Sequence, residues 1–299
     1  MSKRVMITGA NGFVGSALAR AAQVNGWIVT GLVRRRVDEL PGSRMCDYSV
    51  EGLRDLIAEG KPDFIAHAAG AASVGASISD PAGDFASSVG LTQRLLEAVR
   101  KSGHRPRLLY ASSAAVYGNP ASLPVAEDAA LAPISPYGFH KLLCERLFEE
   151  YAACFGHTAL CARAFSLLGE AQRRLLVWDI FSKARTSGDV ELGGTGEESR
   201  DYLHVDDFAR LCWLVAERSI RGFVPVNIAS GRAVSVRQVA EGVIACVGNG
   251  NIVRFTGVVR PGDPKEWRAD LSRLAELCGK PEFPAFEVRL AQVVRAWRH

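Results

Sequence analysis

Two side chains one helical turn apart set the chemistry open to this chain. Tyr137 and Lys141 lie in the run Ser135-Pro136-Tyr137-Gly138-Phe139-His140-Lys141. Ser135 is a good N-cap and Pro136 suits the first helical position, so a helix should begin here. Residues four apart share a helix face, and an ammonium beside a phenol favours the phenolate. An unperturbed tyrosine titrates near ~10, too high for efficient proton transfer at neutral pH. In a cofactor pocket, a tyrosine eased by its lysine could exchange a proton with the oxygen of a carbinol or ketone. Such pairs also occur on solvated helix faces, so the elements around this one decide its meaning.

The start of the chain supplies the pocket. Arg4-Val5-Met6-Ile7-Thr8 is β-rich and runs into Gly9-Ala10-Asn11-Gly12-Phe13-Val14-Gly15, with a helical stretch through Ala22. Strand, glycine turn and helix open a dinucleotide-binding βαβ unit, here spaced Gly-x-x-Gly-x-x-Gly. The glycines let backbone N–H groups approach a pyrophosphate, and the helix N-terminus favours the anion. The second strand, 27–33, ends in Val33 and is followed by Arg34-Arg35-Arg36. An NAD site usually presents Asp or Glu there to the ribose 2′-hydroxyl; guanidinium groups fit a 2′-phosphate instead. NADP(H) is therefore preferred and NAD is the alternative, with Arg34 and Arg35 as candidate ligands. The plain alternative is a solvated turn of three arginines.

The remaining elements complete the frame. Asp47, in Cys46-Asp47-Tyr48 after a third strand, is placed to meet adenine. Strand four, 63–69, carries Ala68-Ala69-Gly70, small enough for close cofactor approach. Residues 85–102 read as one helix, and strand five, 107–113, ends in Ser112 and Ser113. Strands alternating with helices imply an α/β fold, a Rossmann-type doubly wound parallel sheet with ligands beyond the strands' carboxyl ends. A helix at 205–216 and a strand at 224–228 return to it. The expected division is a cofactor domain, 1–165 with returning segments about 203–228, and a smaller, mainly substrate-binding C-terminal domain, 166–299.

Composition limits the other classes. The chain has 299 residues, 48% hydrophobic and 23% charged, enough for a sizeable core. A net charge of +4 is too small to argue for nucleic acid or an anionic membrane as partner, and no apolar run approaches the roughly 20 residues of a membrane span. Seven scattered cysteines without Cys-x-x-Cys read as reduced structural thiols in a cytoplasmic protein. The histidines show no metal-ligand spacing.

The ordered motifs resemble the extended short-chain dehydrogenase/reductases of the nucleotide-sugar epimerase/dehydratase group over nearly the whole chain. They are Thr8-Gly9-x-x-Gly12-Phe13-x-Gly15, Asp47, His67-Ala68-Ala69-Gly70, Ser112-Ser113-x-x-Val116-Tyr117-Gly118 and Tyr137-x-x-x-Lys141. Arg163-x-Phe165, Gly194-x-Gly196, Ser199-Arg200-Asp201-Tyr202, Val205-Asp206-Asp207, Asn227-x-x-Ser230-Gly231, Arg260-Pro261-Gly262-Asp263 and Ala269-Asp270 follow. The resemblance implies a triad of Ser113, Tyr137 and Lys141, with Lys141 also on the nicotinamide ribose and Phe165 bordering the nicotinamide. Together with Arg34 and Arg35, read above from the end of the second strand, the expected cofactor set is Gly9, Asn11, Gly12, Phe13, Val14, Gly15, Asp47, Tyr48, Ala68, Ala69 and Gly70. Arg200 and Arg260 would grip a substrate diphosphate, Ser73 and Ser166 would face the sugar, and a homodimer would form through 85–102 and the helix of Tyr137.

Departures from the family pattern narrow the reaction. Relatives that eliminate water or decarboxylate carry an acid just after the catalytic hydroxyl; here stand Ala114-Ala115. That leaves C4 epimerisation and ketoreduction. The arginine cluster tilts the choice toward NADPH-dependent reduction of an NDP-4-keto-6-deoxy-hexose, with Tyr137 as general acid. A 4-epimerase holding NAD is the alternative, and a non-catalytic NADP(H) sensor the minor one. Ser88 and Ser166 stand where asparagine is usual, and Gly193 where an aromatic residue can stack on uracil, which leaves the base open. Trp178 is expected to pack rather than stack on a base; His67 and His140 are expected to be structural. The small residues of loop 71–74 suit a 6-methyl group.

Overall fold

The first half of the chain builds a sheet from strands that are apolar on both faces. The computed structural model describes residues 2–34, 42–186, 188–248, 250–258 and 265–298. In chain order the first elements are β1 (Arg4–Thr8), α1 (Phe13–Val24), β2 (Ile28–Val33), β3 (Ser43–Met45), α2 (Val50–Gly60) and β4 (Phe64–His67). Next come α3 (Val74–Ser79), α4 (Pro81–Phe85), α5 (Leu91–Ser102), β5 (Arg107–Ser113), α6 (Pro136–Phe155) and β6 (Thr158–Ala164). The seven-stranded sheet has the order β10-β6-β5-β4-β1-β2-β3, where β10 is Phe223–Ile228, and every neighbouring pair is parallel. Strand order reverses between β1 and β4, so a crevice opens at the carboxyl ends of those two strands.

Parallel strands need cover on both sides. On one face α1 and α8 (Val205–Ala216) bury Leu18, Ala22, Phe208 and Trp213 against Val5, Ile7 and Val226. On the other, α2, α5 and α6 bury Leu53, Leu95, Val99 and Phe148 against Met6, Ile65 and Leu108. Both layers follow from apolar positions three and four apart on each helix.

Leu274 joins the core beside α8 and β10, while most of the rest of the second half forms a further layer. It contains β7 (Ser166–Leu168), α7 (Leu175–Thr186), β8 (Val190–Leu192), β9 (Ser199–His204), β11 (Ala233–Ser235) and α9 (Val236–Val247). β12 (Val253–Phe255), α10 (Ser272–Cys278) and α11 (Phe286–Trp297) complete the chain. β7, β9 and β11 make a three-stranded sheet, and Phe181, Val239, Val243, Val293 and Trp297 pack α7, α9 and α11 together. Trp178 belongs to this packing: its ring lies edge-on to Trp297 at 5.0 Å, with the Arg173 guanidinium 4.8 Å above it.

One element departs from the sequence reading. The stretch 85–102 is not a single α-helix; a π-helical turn, Ala86–Gly90, separates α4 from α5. The wider turn presents Ser88 to the loop after β4, where its hydroxyl accepts the Ala71 N–H at 3.1 Å. Thr92 Oγ1 donates to the Ser88 carbonyl at 2.8 Å, the back-bond a helical threonine makes to the residue four before it.

Candidate active site

The glycine loop is built by contacts that exclude side chains. A Cβ on Gly9 would lie 2.8 Å from the Ala69 backbone, and one on Gly15 only 2.1 Å from the Gly9 carbonyl oxygen. Gly9 also has φ +67, which glycine adopts without strain. Gly12 caps α1 with no side-chain bond, which leaves the first-turn N–H groups of Phe13, Val14 and Gly15 for an anion. Asn11 is exposed beside them. The cradle therefore fits a dinucleotide pyrophosphate.

Buried hydrogen bonds hold this loop from beneath. The Tyr48 hydroxyl donates to the Leu32 carbonyl at 2.8 Å and accepts the Gly9 N–H at 3.3 Å, so its phenol supports the loop from inside. Thr8 Oγ1 accepts the Ala69 N–H at 3.3 Å and bonds His67 Nδ1 at 2.7 Å; His67 Nε2 bonds Thr92 Oγ1 at 3.0 Å. The Thr92 hydroxyl also has the Ser88 carbonyl at 2.8 Å and Cys144 Sγ at 3.3 Å as acceptors. Burial, and then the Lys141 charge, pushes the His67 pKa down to about 3. Both ring nitrogens are used in packing, as the sequence reading expects. His140 likewise pairs with Asp84, at 2.5 Å.

β2 terminates in buried Val33, and exposed Arg34 follows it, its guanidinium 5.8 Å from the Tyr48 ring. Asp47 is exposed and accepts both the backbone N–H and the hydroxyl of Ser49 at 2.9 Å; those bonds hold its carboxyl below the usual range. Arg35 lies outside the described residues.

Tyr137 and Lys141 sit at the start of α6. Ser135 Oγ accepts the Gly138 N–H at 3.2 Å, and Ser77 Oγ from α3 accepts the Tyr137 N–H at 3.0 Å. The buried Lys141 ammonium donates to the Ala111 carbonyl at 2.9 Å and stands 5.7 Å from the Tyr137 ring centroid. Ser113 Oγ accepts the Ala115 N–H at 3.2 Å, which leaves its own proton to donate. Gly138 makes the approach possible: a Cβ there would be 2.7 Å from the Ala115 carbonyl oxygen. Ala114 and Ala115 are buried on the 3₁₀ turn that follows Ser113.

Below Lys141, one turn further on, Glu145 anchors the helix. Its carboxylate accepts Arg163 Nη2 at 2.8 Å, Arg163 Nε at 3.1 Å and the Ser112 hydroxyl at 2.6 Å. Arg163 Nη1 continues to the Tyr117 hydroxyl at 2.8 Å, which donates to Asn227 Oδ1 at 2.7 Å. One buried carboxylate thus ties α6 to the ends of β5 and β6. Sequence reading named Arg163 only as a motif and did not find Glu145, although its spacing from Lys141 is again four.

The substrate side is partly described. Ser73 caps α3 by accepting the Ala76 N–H at 3.2 Å, and half-buried Ser166 opens β7. Phe165 is buried between Tyr117 and Trp267, with ring centroids 6.3 and 6.0 Å away. Arg200 Nη1 donates to the Ser199 carbonyl at 2.8 Å, and its guanidinium lies 5.6 Å from the Trp267 ring. Trp267 Nε1 donates to the Gly118 carbonyl at 3.0 Å. This indole spans from Gly118, just after the 3₁₀ turn, to Arg200, and sequence reading missed it. Arg260 lies outside the described residues. Glu170, His204 and Asp206 also converge, but His204 Nε2 bonds Glu170 at 3.1 Å and its Nδ1 accepts the Asp206 N–H as the cap of α8.

Residues 5–229 match the NAD dependent epimerase/dehydratase family. The chain belongs to this family. It is 30% identical over 317 residues to a UDP-glucose 4-epimerase of Mycolicibacterium smegmatis, covering 99% of both chains. It is also 30% identical over 297 residues to a GDP-6-deoxy-D-mannose reductase of Pseudomonas aeruginosa, covering 94% of this chain and 93% of that one. The fold superposes with a TM-score of 0.88 on Thermus thermophilus UDP-glucose 4-epimerase in complex with NAD, at 26% identity and 99% coverage of both chains. The protein is thus an epimerase/dehydratase-family enzyme of the kind that modifies nucleotide sugars, built on the Rossmann-type sheet that its sequence implies.

Proposed function

We propose that this enzyme reduces the C4 ketone of an NDP-4-keto-6-deoxy-hexose with NADPH. The observation that carries the reading is the end of β2, where buried Val33 and exposed Arg34 stand in place of a ribose-binding carboxylate. Guanidinium groups match phosphate oxygens, and a cofactor with a 2′-phosphate serves net reduction. When bound, NADPH supplies the hydride. Tyr137 gives its proton to the C4 oxygen as charge develops there. Ser113 donates a hydrogen bond to the same oxygen, its lone pair already taken by Ala115 N–H. Lys141, fixed on the Ala111 carbonyl, orients the nicotinamide ribose and supports proton loss from the phenol. Ala114 and Ala115 offer no carboxyl group for elimination. Gly9, Asn11, Gly12, Phe13, Val14, Gly15, Asp47, Tyr48, Ala68, Ala69, Gly70 and Phe165 complete the cofactor site, with Ser73, Ser166 and Arg200 toward the sugar nucleotide. Residues 166–299 are mainly the substrate-binding part. Exposed Phe85, Phe139 and Leu143 support a homodimer through residues 85–102 and α6, and the free cysteines accord with a cytoplasmic enzyme.

A second reading, a 4-epimerase retaining NAD, draws on the 30% identity to the M. smegmatis epimerase. One assay separates them. Purified enzyme is given NADPH with GDP- and dTDP-linked 4-keto-6-deoxy-hexoses, and NADPH consumption is followed. Stoichiometric oxidation is expected, abolished in Tyr137→Phe with cofactor binding retained. Interconversion of NDP-hexoses by bound NAD without net NADPH oxidation would establish the epimerase. A biological role that survives Tyr137→Phe would point to a sensor.

A further inference from the structure

Tyr137 lies between two tethers of α6, and only one of them is the Glu145 network. At ~100° per residue, Glu145 stands roughly 80° from Tyr137 around the helix axis, and His140 stands roughly 60° to the other side. His140 is held by Asp84 of α4. Its Nδ1 lies 2.5 Å from Asp84 Oδ1, and the two side chains are 12% and 3% exposed. α4 is itself fixed, because Asp80 Oδ1 accepts the Gly83 N–H at 2.9 Å and Pro81 takes the first helical position. The Phe85 ring, next in sequence to Asp84, lies edge-on to His140 at 5.4 Å.

The Asp84 carboxylate is a costly way to join two helices. Its Oδ2 is buried and has no hydrogen-bond partner, and a carboxylate taken from water without full pairing is strongly penalised. An apolar side chain would pack α4 on α6 without that penalty. What the carboxylate adds is direction, a single bond to a single atom of α6. The other groups at this end of the helix do different work. Ser135 and Ser77 accept the backbone N–H groups of Gly138 and Tyr137. Lys141, bonded to the Ala111 carbonyl, stands roughly 40° from Tyr137 on the Glu145 side.

We propose that Asp84 is a positioning residue for the reaction: through His140 it stops α6 from rolling and so holds the Tyr137 hydroxyl where it meets the C4 oxygen. This rests on the proposed reduction, in which Tyr137 supplies the proton. A phenol oxygen roughly 8 Å from the helix axis moves ~1 Å for a roll of about 8°, and a displacement of that size costs on the order of 10²-fold in rate.

The test is single-turnover oxidation of NADPH by stopped flow at saturating keto-sugar nucleotide, with KM, NADPH affinity and thermal unfolding measured beside it. Asp84→Ala removes the bond and should slow the single turnover roughly tenfold or more, with KM and NADPH affinity within about twofold of wild type. Asp84→Ser, too short to reach His140, takes its place should the alanine variant not fold. His140→Asn keeps an N–H donor where Nδ1 stands and should retain most of the rate. Simple packing would move the unfolding temperature and leave the turnover of folded enzyme unchanged. A folded Asp84→Ala or Asp84→Ser with the wild-type single-turnover rate, or His140→Asn as slow as either, would overturn the proposal. Tyr137→Phe is measured alongside. If it keeps turnover, the phenol is not the proton donor, and the role of Asp84 falls with that reading. If wild-type enzyme interconverts NDP-hexoses instead, the reduction alone fails, and the same variants are compared on that reaction.

Discussion

Replacing Glu145 by methionine should damage both stability and catalysis, and the two effects can be separated. The carboxylate accepts two bonds from Arg163 and one from Ser112, and both ion-pair side chains are at most 3% exposed. Methionine leaves the guanidinium charge buried with only the Tyr117 hydroxyl and the Glu127 carbonyl. Breaking one side of such a pair costs about 3–5 kcal/mol, a large share of a typical total of ~5–15 kcal/mol. Thermal unfolding should therefore fall by roughly 5–8 °C. Replacing Arg163 by methionine as well removes the stranded charge, so the double variant should regain ~2 kcal/mol or more over Glu145→Met. Catalysis should not return with it. α6 would no longer be fixed to the ends of β5 and β6, and a small misplacement of Tyr137 costs on the order of 10²-fold in rate. Urea unfolding and steady-state kinetics at a temperature where all variants are folded measure the two quantities. A double variant no more stable than Glu145→Met, or one with full turnover, would refute the reasoning.

Other outcomes follow from the same geometry. Gly138→Ala puts a Cβ 2.7 Å from the Ala115 carbonyl oxygen and 2.9 Å from Pro133 Cβ, so turnover should drop roughly tenfold or more while NADP(H) affinity, read by calorimetry, stays close to wild type. His67 has a folded pKa of about 3 against 6.5 unfolded. Above the unfolded value it adds no pH dependence; as pH falls from there toward the folded value, only the unfolded chain takes the proton and stability declines by up to ~1.4 kcal/mol per pH unit. His67→Gln should flatten that part of the stability profile, and an unchanged slope would show that the imidazole is not held neutral. Trp267→Phe loses the bond to the Gly118 carbonyl and part of the wall beside Phe165 and Arg200. It should raise KM for the sugar nucleotide severalfold without changing NADP(H) affinity; an unchanged KM would leave the indole as packing alone.

Much of the architecture was readable in the chain because it is encoded locally. β5 spans Arg107–Ser113 and α6 begins at Pro136 after the Ser135 cap, as the apolar run and the Ser-Pro pair require. The glycine loop was legible because only glycine tolerates a Cβ position 2.1 to 2.8 Å from neighbouring backbone. Tyr137 and Lys141 were legible because a helix makes four-residue spacing a spatial relation. The single helix expected at 85–102 is interrupted by a π turn at 86–90, a change of backbone register that apolar periodicity does not record.

By itself, then, the sequence determined the parallel sheet, the dinucleotide loop and the turn that carries the phenol. Tertiary structure alone decided what holds them. Arg163 meets Glu145 across 18 residues, Ser77 caps Tyr137 across 60, and Trp267 reaches Gly118 across 149. Short-range patterns record backbone preference and which face is apolar. The partner of a buried charge or an orphan N–H is settled only when the packed layers bring distant side chains within hydrogen-bond reach.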